Sequence, residues 1–118
     1  PLKGRLAHRF GETRQGSITW EGLLIRAEAG REVKAVHNGR VIFADWLRGF
    51  GNLVIVDHGE GYMSLYSNNE SLYKQVGERV QPGDAIASVG NSGGQPDPGL
   101  YFEMRHQSRP LNPLQWVK

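Results

Sequence analysis

The chain has 118 residues, 38% hydrophobic and 22% charged, with 16 glycines, six prolines and no cysteine. That length fits one domain with a sizeable core, and a formal net charge of +2 without any basic run argues against a nucleic-acid binder. The missing cysteine excludes disulfides, Cys-zinc sites and thiol nucleophiles, and no apolar stretch approaches the roughly 20 residues of a membrane-spanning helix.

The chain opens on Pro1, without an initiator methionine or a signal-peptide pattern. It is therefore expected to be the C-terminal fragment of a longer protein, with its targeting segment upstream. Glycine at about twice its usual share punctuates short runs rich in Val, Ile, Phe and Tyr, which predicts a single all-β domain over 1–118. In chain order the predicted strands are Leu23–Ala27, Glu32–His37, Arg40–Trp46, Asn52–His58, Tyr62–Tyr66, Asp84–Val89 and Leu100–His106. Asn38-Gly39 predicts a type I′ hairpin, since that turn needs positive φ at both central residues, and Gly59-Glu60-Gly61 predicts a second hairpin. The unbroken apolar run in Asn52–Asp57 predicts a central strand shielded on both faces. Only Glu70–Gln75 reads as a helical turn. A weak echo links Gly30-Arg31-Glu32-Val33 with Gly77-Glu78-Arg79-Val80, each followed by a Gly turn and an apolar strand, as a short duplicated β unit would produce.

The residues offer little chemistry. His8, His37, His58 and His106 have no second histidine at the i, i+2 or i, i+4 spacing that puts two ligands on one face. No Gly-x-Ser-x-Gly elbow is present, and the glycines of Asn91-Ser92-Gly93-Gly94 lack the lysine and helix of a phosphate cradle. No lysine sits in the Asn38-Gly39 or Pro82-Gly83 turns, where a lipoyl- or biotinyl-type carrier would be modified. In Leu100–Arg105, alternation places Tyr101, Glu103 and Arg105 on one face and Phe102 and Met104 on the other, the second being the core face.

An ordered series of motifs runs almost the whole chain. It includes Trp20-Glu21-Gly22-Leu23-Leu24, Asn38-Gly39-Arg40-Val41, Phe50-Gly51-Asn52, Val56-Asp57-His58-Gly59, Leu65-Tyr66-Ser67-Asn68, Val89-Gly90-Asn91-Ser92-Gly93, Leu100-Tyr101-Phe102-Glu103 and Asn112-Pro113. This series resembles the LytM, or lysostaphin-type, zinc endopeptidase domain. The resemblance implies a β-sandwich built on a duplicated hybrid motif, with an open groove over a central antiparallel sheet. Active members of that family bind zinc through His-x-Gly-x-Asp and the second His of His-x-His. Those ligand positions are Trp20, Leu24 and Tyr101 here, and the auxiliary histidine positions are Asn68 and Gly99. Zinc needs about three protein ligands to activate water near neutral pH, so the resemblance implies a catalytically dead domain with no cofactor.

The resemblance is strongest to degenerate, divisome-associated members that switch on N-acetylmuramoyl-L-alanine amidases for septal peptidoglycan splitting in the Gram-negative periplasm. It implies those amidases as partners, with the FtsEX complex reached through a coiled coil that this chain lacks. A groove stripped of its ligands is expected to bind the partner through Trp20, Glu21, Leu24, Phe50, Tyr66, Asn68, Tyr101 and Arg105. Trp, Tyr and Arg dominate interface hot spots, and an amphipathic segment of the amidase would lay apolar side chains on Trp20, Leu24 and Tyr66 and an acidic one against Arg105. The alternative is a peptidoglycan-binding module without activation.

Overall fold

The computed structural model describes residues 1–15, 18–94 and 96–115. It is nearly all strand: β1 (Arg5–His8), β2 (Thr13–Gln15), β3 (Ile18–Thr19), β4 (Leu23–Arg26), β5 (Glu32–Lys34), β6 (Gly39–Leu47), β7 (Gly51–Gly59), β8 (Tyr62–Leu72), β9 (Arg79–Val80), β10 (Ala85–Val89), β11 (Gly99–His106) and β12 (Arg109–Leu111). Among the described residues the only helical element is a 3-10 turn, Pro113–Gln115. Ten strands join one antiparallel sheet, whose main path runs β1-β4-β11-β8-β7-β6-β9, while β2 and β3 pair separately.

The continuous apolar run lies where it was expected. β7 sits between β6 and β8; Val54 and Val56 point into the core, while Leu53 is buried and Ile55 half-buried on the other face. The turn at Gly59-Glu60-Gly61 closes the β7–β8 hairpin, with Gly59 opposite Tyr62. The core joins Leu23, Ile25, Val33, Val41, Val54, Val56, Tyr66, Val80, Ile86, Val89, Leu100, Phe102 and Met104. On β11, Phe102 and Met104 belong to it, as alternation requires.

The sequence echo is a structural exchange. Gly30 N–H donates to Val89 O and Val89 N–H to Arg31 O, each at 2.8 Å, so the first unit hangs on a strand of the second. The reciprocal pair is Gly77 N–H to Val41 O at 2.8 Å and Val41 N–H to Glu78 O at 2.9 Å. This exchange overturns the Asn38-Gly39 hairpin. β5 pairs with β10 rather than β6, and neither Asn38 nor Gly39 has the positive φ a type I′ turn needs. Long-range pairing consumed the backbone groups that the local turn would have used. The helical turn at Glu70–Gln75 is overturned for the same reason. β8 runs on to Leu72, Ser71 and Leu72 lie opposite Ser88 and Ala87 of β10, and Tyr73 N–H donates to Ile86 O.

Candidate functional site

One face of the β8–β11 pair opens into a groove. Its floor and walls are Ser67 and Asn68 from β8, Tyr101, Glu103 and Arg105 from β11, Trp20 and Glu21 from the segment before β4, and Gly49, Phe50 and Gly93 from two loops. The β8–β11 register is unbroken from Tyr101↔Ser67 to His106↔Tyr62, so no bulge disturbs the alternation that aims Tyr101, Glu103 and Arg105 into the groove. Gly22 lets Glu21 approach β11: a Cβ there would collide with the carbonyl oxygen of Phe102.

The three positions that the resemblance assigns to zinc ligands do converge. Leu24 on β4 lies directly opposite Tyr101 on β11, and the Trp20 and Tyr101 rings are 6.0 Å apart. An indole, a branched alkyl chain and a phenol that donates to Glu103 offer no donor set for a metal, so zinc does not fit these residues. Trp20 is 7% exposed, with His8 stacked at 4.4 Å and 13°. Trp20 therefore presents little of its ring to the groove that it lines.

Two of the expected binding residues do not reach the groove. Leu24 is buried. Tyr66 is completely buried, packs on Phe102 at 5.3 Å and belongs to the core. Strand alternation alone would put Tyr66 and Asn68 on one face, but Asn68 has φ of 70°, and this left-handed residue breaks the alternation. Ser67 reaches the groove opposite Tyr101 and Tyr66 points into the core opposite Phe102, as alternation requires, and the left-handed turn brings Asn68 to the groove beside Ser67.

Asn68 lines the groove with its amide already spent. Nδ2 donates to Gly90 O at 3.1 Å and Gly99 O at 2.8 Å, and Oδ1 accepts from Gly93 N–H at 2.8 Å. Its backbone N–H donates to Phe50 O at 2.9 Å. One side chain thus ties the Phe50 loop, the Gly-rich loop and the start of β11 together. Asn68 is thus a scaffold of the groove that it lines.

The polar centre of the groove is a row along β11. Glu103, 2% exposed, accepts from Tyr101 Oη at 2.6 Å through Oε2 and from Arg105 Nε at 2.7 Å through Oε1. Arg105 Nη2 lies 3.5 Å from Oε2 of exposed Glu21. Phe50 and Tyr101 supply the half-buried aromatic surface beside this row. Sequence reasoning missed Gly49, Ser67, Gly93 and Glu103 as groove residues. Glu103 was findable from its parity with Tyr101 and Arg105, whereas the others needed the loop packing.

The histidines stay outside the groove. His58, in the lining of a separate cleft, is held by a chain of hydrogen bonds: Nδ1 to Asn38 O at 2.7 Å, Nε2 to Ser64 Oγ at 2.7 Å, Ser64 Oγ to Tyr66 Oη at 2.7 Å, and Val36 N–H to Tyr66 Oη at 3.1 Å. A carbonyl only accepts, so Nδ1 carries the proton and Nε2 takes the Ser64 hydroxyl hydrogen, leaving Ser64 to accept from Tyr66. Burial lowers the His58 pKa, against a rise from the hydrogen bond to the Asn38 carbonyl, and burial pushes the Tyr66 phenol up to about 12. Both ring nitrogens of His58 are therefore committed to structure. Among the described residues no cluster of three or more His, Cys, Asp or Glu could hold a metal ion.

Residues 18–113 match the family model of Peptidase family M23. The chain is 51% identical over 117 residues to murein hydrolase activator EnvC of Escherichia coli, covering 99% of this chain and 28% of that protein. It is 32% identical over 118 residues to murein hydrolase activator NlpD of the same organism, covering 99% of this chain and 30% of the relative. The catalytic domain of the antimicrobial peptidase lysostaphin from Staphylococcus simulans superposes with a TM-score of 0.88 at 22% identity, over 96% of this chain and 91% of that one, a likeness of fold. The chain thus spans under a third of the length of the two activators.

Proposed function

The chain belongs to Peptidase family M23, and we propose that within this family it is a non-catalytic activator of periplasmic N-acetylmuramoyl-L-alanine amidases in septal peptidoglycan splitting. One observation carries the reading. The positions that the resemblance assigns to the three zinc ligands hold Trp20, Leu24 and Tyr101, which lie together beside a groove with an aromatic and ion-paired lining. The resemblance to two murein hydrolase activators supports the same conclusion.

In this proposal the groove binds an amphipathic segment of the amidase. Phe50 and Tyr101 take its apolar side chains, in place of the buried Leu24 and Tyr66, and Arg105 takes an acidic one. If that segment blocks the amidase's own active site when free, capturing it here shifts the amidase toward its open state. Attachment to FtsEX through a coiled coil, and a septal address in the Gram-negative envelope, would belong to parts of the protein beyond these residues.

The test is dye release from labelled sacculi by a purified amidase, with and without this chain and with its Arg105→Ala variant. Activation predicts release only when both proteins are present, reduced by the variant. Release by this chain alone, abolished by a chelator, would overturn the non-catalytic reading. Sedimentation of the chain with sacculi, without any stimulation of the amidase, would favour a peptidoglycan-binding module.

A further inference from the structure

Arg105 is held by two carboxylates of different permanence. The Glu103 side chain is 3% exposed and meets Nε at 2.7 Å, whereas that of Glu21 is 56% exposed and meets Nη2 at only 3.5 Å. One guanidinium neutralises one carboxylate. Glu103 is the partner that cannot leave, because it is buried and also takes the Tyr101 hydroxyl. Glu21 is surplus charge, and with it the row Glu21, Glu103 and Arg105 sums to −1. A third carboxylate brought to this row would meet net repulsion unless Glu21 swung aside.

We infer that Glu21 is the specificity-determining residue of the groove, an exchangeable stand-in that an acidic side chain of the occupant must displace from Arg105. The inference rests on the proposed amidase-binding role of the same groove. Glu103 fixes where the guanidinium points, and Glu21 sets the electrostatic threshold for what may replace it. Glu21 is free to move because its side chain is mostly in solvent, and an exposed ion pair at 3.5 Å is weak.

The experiment measures binding of a purified N-acetylmuramoyl-L-alanine amidase to this chain and to Glu21→Gln, Arg105→Ala and the double variant. At low ionic strength Glu21→Gln should bind about two- to five-fold more tightly, the range an exposed pair can supply. The gain should fade at high salt and vanish when Arg105 is already alanine. In the free protein the Arg105 Nε–H resonance should stay protected in Glu21→Gln, since Glu103 holds it. Unchanged or weaker binding by Glu21→Gln, with Arg105→Ala still impaired, overturns the inference alone. Full binding by Arg105→Ala overturns it together with the groove reading.

Discussion

Replacing Asn68 by alanine removes three hydrogen bonds from a residue 2% exposed and puts a Cβ-bearing residue without a local polar partner at φ of 70°. The losses are unequal. Gly90 O keeps a bond from Gly99 N–H at 3.0 Å, so its deficit is small. Gly93 N–H loses the Asn68 oxygen, and a stranded donor costs about 1–3 kcal/mol. The left-handed backbone adds about 1 kcal/mol for alanine, which lacks the local hydrogen bonding that lets asparagine adopt this region. Together these give a destabilisation of about 2–4 kcal/mol, a large share of the usual 5–15 kcal/mol. For a domain of this size that corresponds to a Tm lower by about 8–16 °C. Asn68→Gly keeps the backbone relaxed and should recover about 1 kcal/mol of the loss. Asn68→Asp should be worse than glycine, because an oxygen replaces Nδ2 against two carbonyls. Urea unfolding of the three variants, with hydrogen exchange at Gly93 N–H, checks the ledger. Asn68→Ala within 1 kcal/mol of the parent chain, or Asn68→Gly no better than alanine, would refute the scaffold role.

His58 gives a pH prediction. Its folded pKa lies below its ordinary value of 6.5, so between the two the unfolded chain binds a proton that the folded chain does not. Its stabilising effect is therefore complete above 6.5 and is lost as pH falls through 6.5 toward the folded value. Protonation makes Nε2 a donor, so it can no longer accept the Ser64 hydroxyl hydrogen, and the Ser64–Tyr66 chain must reorient in a buried site. Thermal melts from pH 8 to 5 should show that slope, and His58→Gln should flatten it; parallel curves would sink the idea. Gly51 and Gly30 form a matched pair of glycine tests. Both have positive φ, 75° and 91°, but a Cβ on Gly30 meets open space while one on Gly51 collides with Gly93 N and Ser92 in the groove wall. Gly30→Ala should cost about 1 kcal/mol and Gly51→Ala about 2–4 kcal/mol by chemical denaturation. Equal costs would mean that the wall yields freely.

Much of the groove was legible because it lies on strands with a period of two. Parity alone put Tyr101 and Arg105 on one face of β11 and Phe102 and Met104 on the other. On β8 the rule holds through Ser67, which lies opposite Tyr101, and Tyr66, which lies opposite Phe102 in the core, and fails at Asn68, whose left-handed backbone brings it to the groove beside Ser67. No local signal announces that twist, since asparagine tolerates positive φ in many settings and adopts it here where loops on both sides claim its amide.

The sequence by itself determined the all-β class, the central strand and the β7–β8 hairpin, because these depend on side-chain type and on short-range periodicity. Only the tertiary structure decided which strands pair and which residues face the groove. β5 crosses to β10 and β9 to β6, against the local hairpin signal at Asn38-Gly39, and Arg105 is shared between buried Glu103 and exposed Glu21. The reason is energetic: a two-residue turn preference is small, whereas leaving the backbone groups of an exchanged strand unpaired in the core would cost several times more.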